Sequence, residues 1–287
     1  MSGTIELVAD DTRATLALRG AELRSWRVAG RELMWQGDPA SWQATSPVLF
    51  PICGATNNGV RVGGTTFPLG IHGFAAQSVF AIEAIDNDHV RFALNDDLAT
   101  RSLYPFDFSL VVEYRIASAS IEARLHVRNV GKGQMPYACG FHPGFRWPFG
   151  RGGPDDYCIV FDEAESPEVP VIAAGGLFSA QLRRVPLTGR TLNLSAALLA
   201  AEALCFLGAN SRGLDFVGPD GAIRVDFQNF PHLALWARPP AEFLCVEAWT
   251  GYGDPVGYDG DLFAKPSMRI LSPGEEAVHG VRFTFAV

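Results

Sequence analysis

Short runs in which apolar and polar side chains alternate recur along the whole chain. Runs at 5–8, 14–18 and 23–28 open it. Those at 79–85, 90–94, 110–116 and 121–127 follow, and 159–161, 203–207, 223–227, 233–236, 243–247 and 278–285 complete the set. A period of two puts successive side chains on opposite faces of a strand. Turn formers separate the runs, among them Asp86-Asn87-Asp88, Gly131-Lys132-Gly133 and Gly218-Pro219-Asp220-Gly221. Only 195–204 carries a helical pattern, and only for a few turns. Many strands with short connections predict an all-β fold, a large antiparallel β-sandwich or barrel with one or two short helices. No linker, repeat or low-complexity stretch divides the 287 residues, which predicts one domain over 1–287. The longest loop-rich stretches, 41–69 and 145–156, are where a rigid β scaffold would carry a site.

Composition adds a core and removes some partners. Hydrophobic residues make up 48% and charged residues 19%, with 20 Phe and 6 Trp, which suits a sizeable core or an aromatic cleft. A net charge of -8 argues against nucleic acid, whose phosphates need clustered Lys and Arg. It also argues against anionic membranes, so neither nucleic acid nor membrane is an expected partner. The most apolar stretch, 192–209, is interrupted by Glu202 and reads as core rather than a span. Residues 1–11 lack the basic head and apolar run of a signal peptide. The five cysteines, Cys53, Cys139, Cys158, Cys205 and Cys245, have no metal-like spacing and read as buried free thiols. A cytoplasmic protein is therefore expected.

Two segments carry candidate chemistry. In Gly140-Phe141-His142-Pro143-Gly144-Phe145, alternation puts Tyr137, Cys139 and Phe141 on one face and Ala138, Gly140 and His142 on the other. The small residues beside His142 predict room for a ligand, and Phe145 and Trp147 follow as stacking surfaces. In Cys245-Val246-Glu247-Ala248-Trp249-Thr250-Gly251, both faces are apolar, so Glu247 reads as a carboxylate inside the fold. Burial raises the basicity of such a group, and Trp249 shares its face. Ile71-His72-Gly73-Phe74 adds a second imidazole. His89, His126 and His279 read as surface or strand-face residues, and His232 has no assigned place. No His-x-x-x-His or Cys-x-x-Cys spacing occurs, so no metal site is expected. No phosphate loop, Ser elbow or dinucleotide fingerprint is present either.

The ordered set resembles the aldose 1-epimerase (galactose mutarotase-like) family. Its members are Ser46-Pro47-Val48-Leu49-Phe50-Pro51, Ile71-His72-Gly73-Phe74-Ala75, Gly140-Phe141-His142-Pro143-Gly144-Phe145, Leu233-Ala234-Leu235-Trp236, Cys245 to Gly251 and Leu271-Ser272-Pro273-Gly274-Glu275. The resemblance implies a galactose mutarotase-like supersandwich that interconverts the α and β anomers of a free aldose, with no cofactor. It implies Glu247 as general base at the C1 hydroxyl and His142 as general acid at the ring oxygen. His72 would hold a sugar hydroxyl or assist at the ring oxygen, with Phe145, Trp249 and Arg146 as further substrate-binding residues. The expected partner is a small-molecule sugar, and the expected assembly a monomer or homodimer. Three positions depart from the family pattern: Ala55 and Ala76 stand where Arg is usual, and Ala248 where Pro is usual. Loss of two guanidiniums points away from a phosphorylated sugar. Arg146 and Arg61 are the cations that could take their place. Two other readings stay open, a non-catalytic carbohydrate-binding protein and a glycoside hydrolase. The hydrolase needs a second acid beside Glu247, from Asp215, Asp226 or Glu202.

Overall fold

A nine-stranded antiparallel sheet and a six-stranded one face each other across a shared core in the computed structural model, which describes residues 3–287. Across the nine-stranded sheet run Thr191–Asn193, Cys158–Phe161, Gly213–Gly218, Gly221–Gln228, Glu276–Ala286, Ser120–Asn129, Phe108–Ala117, His89–Asn95 and Ala81–Ile85. The six-stranded sheet runs Leu204–Leu207, His232–Trp236, Phe243–Trp249, Gly140–Phe141 and Val48–Leu49, with Gly144–Arg146 also paired to Phe243–Trp249. A four-stranded sheet, Thr4–Ala9 to Arg31–Glu32, closes one side, its Trp26 packing on Phe283 of the large sheet. This is the predicted antiparallel β-sandwich, and the predicted strand runs fall on observed strands.

Alternation decides which face is core. On the six-stranded sheet Leu233, Leu235, Leu244, Val246, Ala248 and Phe141 join the main core. Phe145 joins them, fully buried and edge-on to Phe283 at 5.2 Å between ring centres. Full burial of such a ring contributes about 1.5–3 kcal/mol, which holds Phe145 in the sandwich. The opposite face carries Cys205, Ala234, Glu247 and Trp249, which pack with Leu49, Cys53, Ala138 and Phe178 into a second apolar cluster or lie beside it. The site lies on that opposite face.

One predicted element is shorter than its pattern, and one helix is new. The helical pattern at 195–204 yields one turn, Ala196–Leu199, capped by the Ser195 hydroxyl. Beyond it, Leu204–Leu207 pairs with His232–Trp236, and sheet pairing overrides helix propensity. A helix at Leu98–Leu103 has no counterpart in the hydrophobic pattern; Asp97 and Thr100 form a capping box at its start. No helix among the described residues is long and apolar enough to cross a membrane. Four of the five cysteines are buried, Cys158 is partly buried, and all are free thiols.

His279 and His232 are built into this scaffold rather than displayed on it. His279 is buried, accepts the Tyr137 hydroxyl proton at its Nε2 (2.9 Å) and donates from Nδ1 to the Asn229 carbonyl (2.9 Å). His232 accepts the Gly208 N–H at Nδ1 and contacts the Ser267 hydroxyl through Nε2. In both, a protein donor already occupies one ring nitrogen, so the ring is held neutral. Burial pushes each down to about 4 from an ordinary 6.5. The unfolded chain therefore takes up protons first, and these residues cost stability as pH falls from about 6.5 toward 4. Urea unfolding midpoints at pH 7 and pH 5 test this: the drop between them should shrink in His279→Gln, and an unchanged drop would contradict it.

Candidate active site

His142 and Glu247 stand opposite each other across two strands. The register on either side, Gly140 with Trp249 and Gly144 with Cys245, continues through the gap and makes His142 the cross-strand neighbour of Glu247. Side chains so placed start about 4.5–5.5 Å apart at Cβ. The His142 Nε2 and Glu247 Oε2 atoms are 3.2 Å apart. Pro143 interrupts the strand there, but its carbonyl still accepts the Val246 N–H, and the His142 N–H donates to Pro47. Both segments are thus pinned by backbone bonds where the two side chains meet.

Burial sets the electrostatics of the pair. It raises the Glu247 carboxyl well above its ordinary value, while the Trp249 indole N–H, donating to Oε2 at 3.1 Å, pulls in the other direction. It pushes His142 well below 6.5, with the neighbouring His72 adding to the effect. Glu247 Oε2 therefore receives both neighbours, and Oε1 has no hydrogen-bond partner among the described residues. Glu247 lines a cavity of about 510 Å³, a size suited to a small molecule.

His72 is the third group at the cavity. Its Nδ1 accepts the Gly54 N–H at 3.1 Å, so the neutral ring carries its proton on Nε2 and acts as a donor. Burial pushes it down to about 4, consistent with a ring kept neutral. Its backbone is left-handed (φ 61°), a conformation that costs a side-chain-bearing residue about 1–3 kcal/mol. Gly73 follows at φ 72°, where an added Cβ would come within 2.3 Å of the Phe50 carbonyl oxygen. The Gly54 turn is itself held by Asp254. That residue donates its N–H to Ala55 and accepts the Asn57 N–H, and it forms a 2.9 Å buried ion pair with Lys265.

Aromatic rings frame the pair. The His142 ring lies 5.1 Å from Trp42, 5.6 Å from Trp236 and 5.5 Å from His72. Trp249 and Phe178 complete the apolar wall. The small residues flanking His142 do not leave open space, contrary to expectation. A Cβ on Gly140 would meet the Trp249 ring at 2.8 Å, and one on Gly144 would meet Trp42 at 2.6 Å. Glycine there admits the indoles that shape the cavity.

Of the predicted site residues, His142, Glu247, His72 and Trp249 come together. Phe145 does not, because it shares the core face with Phe141. Arg146 is exposed, paired in register with Phe243 at the far end of the strand from Glu247, and outside the cavity. The loop 145–156 likewise contributes nothing, whereas 41–69 supplies Trp42, Pro47, Gly54 and Ala55. Missed altogether was the hairpin of Glu168–Ala173 and Leu177–Arg184, which brings Ile172, Gly176 and Phe178 to the mouth. Gly176 packs on Ala55, where a Cβ added at Gly176 would come within 3.2 Å of the Ala55 methyl. Ala76 lies off the cavity, against Gly20. Glu202 is at the mouth, but its carboxylate accepts the Ile172 N–H and pairs with Arg183 at 2.8 Å. Asp215 and Asp226 surround Arg224 on the large sheet, away from the cavity. Arg61 lies beside Asp254 and Tyr258 instead of in the cavity.

Trp249→Phe keeps the ring but removes the N–H that favours the Glu247 carboxylate. The Glu247 pKa should rise by about one unit or more, since such bonds to charged groups are worth about 1.5–3 kcal/mol. A ¹³C-carboxyl titration of both proteins reads the shift, and an unmoved or lowered pKa would refute the role of that bond.

Comparison with known proteins gives the family and the fold. The aldose 1-epimerase family model matches residues 3–284. The chromosomal Protein LacX of Lactococcus lactis subsp. lactis is 30% identical over 284 residues, covering 94% of this chain and 95% of that protein. A galactose mutarotase-like protein from Lactobacillus casei superposes with a TM-score of 0.92 at 27% identity, covering 99% of this chain and all (100%) of that one. A galactose mutarotase related enzyme from Lactobacillus acidophilus gives 0.90 at 28% identity, covering 99% and 98%. The chain belongs to the aldose 1-epimerase family.

Proposed function

We propose that this protein interconverts the α and β anomers of an aldose, with Glu247 as general base and His142 as general acid. The observation that carries the reading is the buried pair itself, 3.2 Å between Nε2 and Oε2 at the floor of an aromatic-walled cavity. In a pyranose the C1 hydroxyl and the ring oxygen hang on one carbon, so a side-by-side base and acid reach both. Glu247 Oε1, the unpartnered oxygen, takes the proton from the C1 hydroxyl. The electron pair of that O–H bond becomes the carbonyl π bond as the bond from C1 to the ring oxygen breaks. His142, doubly protonated in the reacting complex, gives its Nε2 proton to the departing ring oxygen. Rotation about C1–C2 presents the other carbonyl face. Ring closure then runs the same transfers in reverse, returning the proton from Glu247 to O1 and that of the O5 hydroxyl to His142.

The electrostatics favour the ring-opening transfer and cost the ion pair that precedes it. Ring opening converts a carboxylate and an imidazolium into a neutral acid and a neutral imidazole. Burial raises Glu247 and lowers His142, which makes the first a stronger base and the second a stronger acid. His72, holding its proton on Nε2, donates to a sugar oxygen, and Trp249 offers an apolar face. Arg146 and Phe145 have no part in this reading.

Saturation-transfer NMR on a panel of aldoses measures anomer exchange directly. The wild type should accelerate it. Glu247→Gln and His142→Asn should each lower the rate by about 10²–10⁴-fold. The double variant should fall little further, because the two act as a unit. Sugar binding without exchange would support a carbohydrate-binding protein instead, and full activity in either single variant would refute the assigned roles.

A further inference from the structure

We propose that Asp254, partnered by Lys265, is a positioning residue that sets two parts of the cavity as one unit: the His72 donor and the hairpin that carries Phe178. Its effect on turnover rests on the mutarotase reading of the cavity; its effect on the His72 ring does not.

The hairpin of Glu168–Ala173 and Leu177–Arg184 forms a two-stranded sheet of its own, yet it brings Ile172 and Phe178 to the cavity. Sheet register with the sandwich therefore does not place it. Gly253-Asp254 does. The Asp254 carbonyl accepts the Phe178 N–H at 2.8 Å, and the Phe178 carbonyl accepts the Val256 N–H at 2.9 Å. In the other direction the Asp254 N–H donates to the Ala55 carbonyl at 2.8 Å. Gly253 is wedged between the same two segments. A Cβ there would come within 3.1 Å of both the Ala55 nitrogen and the Gly176 carbonyl oxygen, and within 3.2 Å of the Phe178 ring. One dipeptide thus grips the hairpin and the loop 54–57 at once.

The Asp254 side chain extends this hold to His72. Oδ2 accepts the Asn57 N–H at 2.8 Å, and Oδ1 meets the Lys265 ammonium at 2.9 Å. Ala55 and Asn57 are then both tied to one residue. Gly54, the next residue along, exchanges two bonds with His72: its N–H donates to Nδ1 at 3.1 Å, and its carbonyl accepts the His72 N–H at 3.0 Å. The first of these leaves the ring proton on Nε2, because a neutral imidazole carries its proton on the nitrogen that is not accepting. The direction in which His72 donates is thereby set by Asp254, which does not line the cavity.

The choice of charged groups points the same way. Asp254 and Lys265 are only 3% and 4% exposed. A buried ion pair is a poor device for stability alone, since apolar residues of similar volume often serve as well or better. What a carboxylate adds is acceptance of two donors from different directions at fixed geometry, here Asn57 and Lys265.

Two double variants separate positioning from stability. Asp254→Leu with Lys265→Met removes both charges and the acceptor while keeping volume. Asp254→Asn with Lys265→Met removes both charges and keeps an acceptor for Asn57. In urea, the leucine variant should unfold at or above the wild-type midpoint. Nitrogen-15 NMR of the wild type should show His72 with one bare and one protonated ring nitrogen. In the leucine variant the two resonances should move toward each other as the second tautomer is populated. Saturation-transfer NMR on an exchanging aldose should show KM raised about tenfold, as for loss of one placed hydrogen bond, with kcat within about threefold. The split arises because His72 and Phe178 hold the sugar alike in ground and transition states. The asparagine variant should recover most of both readouts. Wild-type His72 resonances and wild-type KM in the leucine variant, or an asparagine variant no better than it, would overturn the proposal. If the leucine variant does not fold, Asp254→Ser with Lys265→Met, whose hydroxyl is too short to reach Asn57, takes its place under the same outcomes. If no sugar exchanges, the mutarotase reading fails on its own, and the His72 resonances decide the positioning role.

Discussion

The structure depends on one register. Gly140–Phe141 and Gly144–Arg146 are the two halves of an interrupted strand, and both pair in the same frame with Phe243–Trp249. That frame sets His142 opposite Glu247, and it sends Phe141, Phe145, Leu244 and Val246 into the sandwich. A slip of one residue would turn the imidazole and carboxylate toward the core and two aromatic rings toward the cavity. The hydrophobic pattern that builds the core and the alignment of imidazole with carboxylate are therefore one constraint. The phenylalanines that contribute nothing to the chemistry enforce it.

A buried carboxylate beside a buried imidazole is expensive, and the surroundings show how the cost is contained. Glu247 has an indole N–H and the imidazole on one oxygen. His142 has its backbone tied to Pro47 and its ring enclosed by Trp42, Trp236 and His72. The two groups lie 3.2 Å apart, and removing one partner leaves the other without compensation. Desolvation raises the carboxyl and lowers the imidazole. Around them the scaffold spends strain and backbone bonds on orientation: a left-handed His72, a Gly54 turn held by the Asp254–Lys265 pair, and glycines that admit indole rings.

Much of this was legible in the sequence. Alternation alone put His142 and Phe141 on opposite faces and put Trp249 with Glu247, and the strand runs carried the sandwich. The same rule, carried three residues further, assigns Phe145 to the core with Phe141, and treating it as a stacking surface ignored that parity. The interruption at Pro143 hid the continuity that makes the parity hold. What alternation cannot supply is the partner across a hundred residues of chain, since register between distant strands is fixed by global packing. Nor can it reveal that Gly140 and Gly144 are filled by rings arriving from other segments. The hairpin at 168–184 escaped because Pro170 and Gly175-Gly176 break its pattern, and with it went Phe178 and the role of Ala55.

If His142 and Glu247 act as one acid–base unit, they titrate as a coupled pair. Nitrogen-15 NMR of histidine-labelled protein, followed from pH 4 to pH 9 in wild type and Glu247→Gln, reads this directly. The account predicts that His142 departs from an ordinary titration near 6.5 and that its curve changes in Glu247→Gln. A His142 that titrates near 6.5, with the same curve in both proteins, would contradict it.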